Sequence, residues 1–87
     1  MDGRVLLVGA GPGDPELLTI KAVRALERAE VLVYDRLVSA AIIEFAPASA
    51  VRIDVGKRSG FHTLPQPEIN KLLVRLGCSG RVVVRLK

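Results

Sequence analysis

The chain has 87 residues, of which 49% are apolar and 25% are charged. This length allows one small domain, and the composition excludes a disordered chain because it contains enough apolar side chains to form a core. The longest charge-free stretches run nine residues, whereas a membrane helix needs about 20. No membrane partner is therefore expected. The N-terminus is not a basic n-region and the apolar run after it breaks at Gly9–Gly13, so no signal peptide is expected and a cytoplasmic protein is the simplest interpretation.

The formal net charge of +4 is unevenly distributed along the chain. Residues 1–43 have a net charge of −1, whereas residues 44–87 have a net charge of +5. A basic second half suits an anionic partner, such as nucleic acid, a small polycarboxylate or a phosphorylated ligand. Only three aromatic residues are present, so there are too few rings for a base-stacking surface. We therefore expect no nucleic-acid partner.

The first third of the chain predicts two strands around a helix. The continuous apolar run at residues 4–9 predicts a strand buried on both faces, followed by a loop rich in Gly and Pro. Thr19 is the predicted N-cap of a helix that ends near Ala29. The predicted inner face of this helix consists of Ile20, Ala22, Val23 and Leu26. The short apolar run Val31–Tyr34 predicts a second strand.

The middle of the chain predicts a short helix and a third strand. Ser39 is the predicted N-cap of a helix through about Phe45, and Pro47 stops it. The alternating residues 51–55 predict a more exposed third strand. A long loop at residues 56–66 follows.

The last third predicts a long helix and a terminal strand. Pro67 suits the first turn of a helix, and Gly77 is predicted to end it. Its apolar face consists of Ile69, Leu72, Leu73 and Leu76. Residues 81–86 predict a fourth strand, with nothing after it to cover its edge. We expect that edge to be exposed.

The predicted elements alternate in the order βαβαβαβ. This order indicates an α/β fold in which a mainly parallel β-sheet is flanked by helices. Ligands of such sheets bind at the carboxyl ends of the strands, so the Gly-rich loop after the first strand is a natural site. The single cysteine, Cys78, excludes a multi-cysteine metal site, and we expect no metal.

The loop at residues 9–14 has several interpretations. Gly9 and Gly11 fit a dinucleotide fingerprint, but its third glycine position holds Asp14. Asp35 lies where the ribose-binding acid of such a fold would be, so a dinucleotide-binding Rossmann module remains an alternative. A turn without chemical function is another alternative. A Walker A loop is excluded because no Gly-Lys-Ser/Thr follows.

Five motifs together resemble the tetrapyrrole methylases. They are V-G-A-G-P-G-D-P-E-L-L-T at 8–19, Y-D-R-L-V-S at 34–39, V-G-K-R at 55–58, H-x-x-P-Q at 62–66 and V-V-R-L-K at 83–87. The first motif indicates the broad family. The second and third narrow it to the branch that methylates uroporphyrinogen III. The resemblance covers nearly all of the chain. A methylase that acts on a later corrin precursor remains an alternative function.

This resemblance implies methylation of uroporphyrinogen III to precorrin-2 by S-adenosylmethionine. Asp35 matches the family's proton acceptor and Lys57 its proton donor. Pro12 matches a contact to S-adenosylmethionine. Its neighbours Gly11 and Gly13 let the backbone approach the ligand closely.

Three basic side chains beside these positions are candidates for binding the substrate, which is a polycarboxylate. They are Arg36, Arg58 and His62. A guanidinium fork suits carboxylates.

The resemblance also implies parts that lie outside these 87 residues. We interpret residues 1–87 as the N-terminal α/β domain of such a methylase. The family has a second α/β domain, S-adenosylmethionine between the two domains, and a homodimer. We therefore expect this chain alone to be inactive.

Overall fold

The computed structural model describes residues 3–35, 38–56 and 65–87. Its strands are β1 (Arg4–Val8), β2 (Val31–Tyr34), β3 (Val51–Asp54) and β4 (Val82–Leu86). Its helices are α1 (Ile20–Glu27), α2 (Ala40–Ile43) and α3 (Gln66–Cys78), and a 3-10 turn spans Pro15–Leu17. The alternation of strands and helices is as predicted.

The four strands form one parallel sheet in the order β1-β4-β2-β3. Helices cover both faces, because a parallel sheet buries its strands on two sides. On one face, Leu26 of α1 and Ile42 of α2 pack with β-strand residues such as Leu32. On the other face, Ile69 and Leu73 of α3 pack on Val31, Val33 and Val83. The predicted fold class is confirmed.

The position of β4 corrects the expectation of an exposed last strand. β4 lies in the middle of the sheet, hydrogen-bonded to β1 on one side and β2 on the other. Val83, Val84 and Leu86 are fully buried. The expectation was wrong because α3 carries the chain back over β2, which inserts the last strand between the first two.

Two further burial predictions were wrong. β1 is an edge strand, and its Leu7 is 77% exposed instead of buried. Ile20 at the start of α1 is 71% exposed. The buried residues of α1 are Ala22 and Leu26, one turn apart on one face, and Ile20 lies about 200° around the helix from Ala22.

Both predicted N-caps are confirmed. The Ala22 N–H donates to Thr19 Oγ1 at 3.0 Å, and the Ile42 N–H donates to Ser39 Oγ at 3.4 Å. These bonds occupy donors that the first turn of a helix leaves without partners.

Arg52 of β3 stabilises the end of α2. Its Nη2 donates to the carbonyl oxygens of Ile43 at 3.3 Å and Ala46 at 3.1 Å. Its Nη1 donates to those of Pro47 and Ala50, both at 3.1 Å. One planar cation therefore holds the carbonyls that follow a one-turn helix, where negative partial charge collects.

The prediction that Gly77 ends its helix was wrong. α3 runs through it to Cys78, with Ser79 as the C-cap and Gly80 at φ +86°. A Cβ on Gly77 would lie 3.0 Å from Val5 Cγ2, and a Cβ on Gly3 would collide with the Gly77 carbonyl. Glycine at these positions lets α3 approach β1 closely.

We predict that Arg52→Ala lowers the free energy of unfolding by about 2–4 kcal/mol, because the carbonyls after α2 lose their shared donor. Urea denaturation measures the change. Arg75→Ala is the matched control, since Arg75 is exposed on α3, and its effect should stay within about 0.5 kcal/mol. Equal effects of the two substitutions would contradict the role of Arg52.

We also predict that Gly3→Ala lowers the free energy of unfolding by about 1–3 kcal/mol, because its methyl group would overlap main-chain atoms of α3. The control is Gly9→Ala, where no atom lies within 4 Å of the added Cβ. Thermal or urea unfolding distinguishes the two. An unchanged Gly3→Ala protein would show that α3 and β1 do not need this close approach.

Candidate functional site

The carboxyl ends of the parallel strands bring the predicted site residues to one edge of the sheet. The Gly-rich loop follows β1, Asp35 follows β2, and Val55 and Gly56 follow β3. β2 leads to α2 on one face of the sheet, while β3 leads to α3 on the other face. The chain therefore diverges between these strand ends, which is where open α/β sheets form a ligand crevice.

The Gly-rich loop presents an open backbone. Gly11 and Gly13 have φ values of +66° and +102°, which residues with a side chain rarely adopt. No atom lies within 4 Å of a Cβ placed on either residue, and Pro12 between them is exposed. A ligand can therefore approach the main chain here without meeting a side chain, which fits the predicted contact to S-adenosylmethionine.

Three hydrogen bonds hold this loop against the sheet. The Ala10 N–H donates to the Lys87 carbonyl at 2.7 Å, and the Lys87 N–H donates to the Val8 carbonyl at 3.0 Å. Ser39 Oγ donates to the Gly13 carbonyl at 3.2 Å. The same hydroxyl caps α2, so the loop and the start of α2 are fixed to each other.

Asp14 has a structural explanation. Its Oδ1 accepts a hydrogen bond from the Glu16 N–H at 2.9 Å and caps the turn at Pro15–Leu17. This turn separates the loop from α1, which begins only at Ile20. A dinucleotide fingerprint instead places its loop directly at a helix N-terminus, so the geometry disfavours that alternative.

Asp35 is half-buried at the end of β2. Its carbonyl accepts a hydrogen bond from the Val38 N–H at 3.1 Å, which turns the chain towards Ser39. The Val55 N–H donates to the carbonyl of the preceding Tyr34 at 2.8 Å. Asp35 thus lies between two segments. One contains Ser39, which bonds to the Gly-rich loop, and the other is the end of β3, which leads to residue 57.

Four predicted site residues lie outside the residues that the structure describes. They are Arg36, Lys57, Arg58 and His62. Their roles remain predictions. Within residues 3–35, 38–56 and 65–87, no three His, Cys, Asp or Glu side chains form a metal-binding group. No helix in these ranges is long and apolar enough to span a membrane.

Arg85 of β4 is a residue that the sequence analysis did not single out. It is 4% exposed, and its Nη1 donates to the Leu86 carbonyl at 2.9 Å. A signal was present, because Arg85 interrupts the apolar run at residues 82–86. A charged residue inside an apolar run is unusual when the strand lies between two others, because its side chain is then buried.

The comparisons with known proteins identify the family and the fold of this chain. Residues 4–87 match the family model of the Tetrapyrrole (Corrin/Porphyrin) Methylases. A uroporphyrinogen-III C-methyltransferase of Paracoccus denitrificans is 60% identical over 85 residues, which is 98% of this chain and 30% of that protein. This chain thus spans about a third of the relative's length.

Two solved structures from Thermus thermophilus share the fold. A uroporphyrin-III-C-methyltransferase superposes with a TM-score of 0.84 at 45% identity, covering 100% of this chain and 35% of that one. A second, complexed with S-adenyl homocysteine, has a TM-score of 0.78 at 50% identity, covering 98% and 35%. With the family model matching almost every residue, the chain belongs to the tetrapyrrole methylases.

Proposed function

We propose that this chain carries the acid–base part of an active site that methylates uroporphyrinogen III to precorrin-2, using S-adenosylmethionine. The observation that carries the proposal is the open Gly11–Pro12–Gly13 loop, bonded through Ser39 to the segment that follows Asp35. The 60% identity to a uroporphyrinogen-III C-methyltransferase supports the choice of substrate.

Methyl transfer requires the alignment of the two reactants more than the activation of either one. The sulfonium of S-adenosylmethionine is already an electrophile: its carbon–sulfur bond breaks as a carbon–carbon bond forms to a nucleophilic pyrrole carbon, and sulfur keeps the electron pair. The Gly-rich loop contributes a backbone surface against which the methyl donor fits. A fixed approach of the two reactants and the exclusion of water supply most of the acceleration.

The macrocycle must also lose a proton as it rearranges, which requires a general base and acid. Asp35 is the proposed proton acceptor, at the strand end where the crevice opens. Lys57 is the proposed donor. It follows Val55, whose N–H bonds to the residue before Asp35.

The basic second half of the chain suits a polycarboxylate substrate. Arg36 and Arg58 adjoin the proposed base and acid in sequence, and His62 lies five residues after Lys57. We propose that these three residues bind substrate carboxylates. A guanidinium can hold a carboxylate through two parallel hydrogen bonds.

We propose that the whole protein contains more than this chain. The Paracoccus and Thermus relatives are about three times as long as this chain, which supports a second domain that completes the methyl-donor site. We propose a cytoplasmic homodimer that uses no metal and has no nucleic-acid or membrane partner.

We predict that Asp35→Asn and Lys57→Met each lower kcat for methyl transfer about 100-fold or more, because each removes a proton-transfer group. The protein is expressed from its full open reading frame, and transfer of labelled methyl groups to uroporphyrinogen III is measured. Binding of S-adenosylhomocysteine should be unchanged in both variants.

The matched controls are Glu44→Gln and Lys71→Met, since Glu44 is exposed at the C-cap of α2 and Lys71 is exposed on α3, and both should retain activity. Full activity of Asp35→Asn would contradict its role. Affinity for NAD without affinity for S-adenosylhomocysteine would contradict the proposed function, as would methylation of only a later corrin precursor.

We also predict that the 87-residue chain alone does not turn over uroporphyrinogen III, because most contacts to the methyl donor are expected in the second domain. The same methyl-transfer assay compares it with the product of the full reading frame. Turnover by the short chain would show that these residues contain a complete site.

A further inference from the structure

A buried cation lies beside the proposed site. Arg85 is the one charged residue that is buried among the residues the structure describes. A guanidinium has five N–H donors, and the one hydrogen bond seen from this side chain goes from Nη1 to the Leu86 carbonyl. That acceptor is a neutral main-chain oxygen, so the charge itself is not balanced by it.

The described part of the chain contains no anionic partner for Arg85. No carboxylate there lies within 4.0 Å of its nitrogens; the ion pair seen joins Lys71 and Glu68. Asp54 belongs to the opposite face of the sheet, because it pairs with Tyr34 whereas Arg85 pairs with Val33. An unpaired buried charge is strongly unfavourable, so this position suggests an anion that comes from elsewhere.

The guanidinium retains a path to solvent. Every buried side-chain nitrogen or oxygen of the described residues has a hydrogen-bond partner. Since only Nη1 of Arg85 is seen to donate, its other nitrogens are not completely buried. We infer that these donors are available to a ligand.

The register places Arg85 next to the proposed proton acceptor. Arg85 lies opposite Val33 of β2, on the face covered by α3. Asp35 directly follows β2 and lies two residues after Val33, so it continues the same alternation. The bond to the Leu86 carbonyl directs the guanidinium towards the carboxyl ends of the strands, where the crevice opens.

We propose that the Arg85 guanidinium binds a carboxylate of the tetrapyrrole substrate, at the α3 side of the crevice and beside Asp35. This inference rests on the proposed function. The shared chemistry is a ligand carboxylate, and S-adenosylmethionine also has one in its amino-acid part. The experiment therefore measures both ligands.

The test uses the product of the full open reading frame with Arg85→Met, Arg85→Lys and the control Arg75→Met. Fluorescence titration gives the Kd for uroporphyrin III, a stable oxidised form of the substrate, and calorimetry gives the Kd for S-adenosylhomocysteine. In Arg85→Met, we expect the Kd for uroporphyrin to rise about 10- to 100-fold, with S-adenosylhomocysteine unchanged. Arg85→Lys should lose less, and Arg75→Met should match the wild type.

Thermal unfolding separates ligand binding from a structural role. Replacing a buried unpaired charge by an apolar side chain should leave the Tm of Arg85→Met unchanged or raise it. A lower Tm together with weaker binding of both ligands would overturn the proposal in favour of a structural arginine. Weaker binding of S-adenosylhomocysteine alone would assign the residue to the methyl donor instead.

The wild-type protein distinguishes the two proposals. If it binds and methylates the tetrapyrrole while Arg85→Met binds uroporphyrin equally well, only the role of Arg85 is overturned. If the wild type neither binds nor methylates it, the proposed function is wrong and the role of Arg85 is overturned with it.

Discussion

The pairing of β4 between β1 and β2 is the constraint on which this domain depends. β1 and β2 are not neighbours, so the sheet is continuous only when the last strand is inserted between them. Glu30 fixes the start of this insertion. Its N–H donates to the Val82 carbonyl at 2.9 Å, and its Oε1 accepts the Val82 N–H at 2.7 Å. Within the described residues, the strands at the two edges of the sheet are β1 and β3.

The same insertion shapes the site. The residue after β4, Lys87, exchanges hydrogen bonds with Val8 and Ala10 and so holds the start of the Gly-rich loop. Ser39 holds its other end through Gly13. The loop is therefore fixed at two points while its glycines stay open. Fixing a loop at two points lowers the conformational entropy that it would lose on binding a ligand.

Two arginines in neighbouring parts of the sheet illustrate different uses of the same side chain. Arg52 donates to main-chain carbonyls after α2 and stabilises a helix end. Arg85 is buried in β4, one of the two inner strands, and among the described residues its side chain makes a single hydrogen bond. The first completes local structure, whereas the second leaves donors and a charge for a ligand. Their surroundings, and not the residue type, decide between these roles.

Local patterns predicted much of the fold. Thr19 and Ser39 were recognisable as N-caps because a cap depends on residues within three positions of it. The strand Val31–Tyr34 was predicted with the bounds that the structure has, since a short apolar run between turns contains the whole signal. The Gly-rich loop was predicted as a site because it follows a strand of an α/β alternation, and the structure gives that loop an open backbone.

The sequence by itself thus determined the alternation of strands and helices, the parallel sheet and the loop at its carboxyl edge. Only the tertiary structure decided that β4 is central, that β1 is an edge strand, and that Gly77 serves packing instead of helix termination. It also revealed the buried charge of Arg85. The physical reason is that strand order and burial depend on contacts between residues far apart in the chain, which no local pattern of side chains specifies.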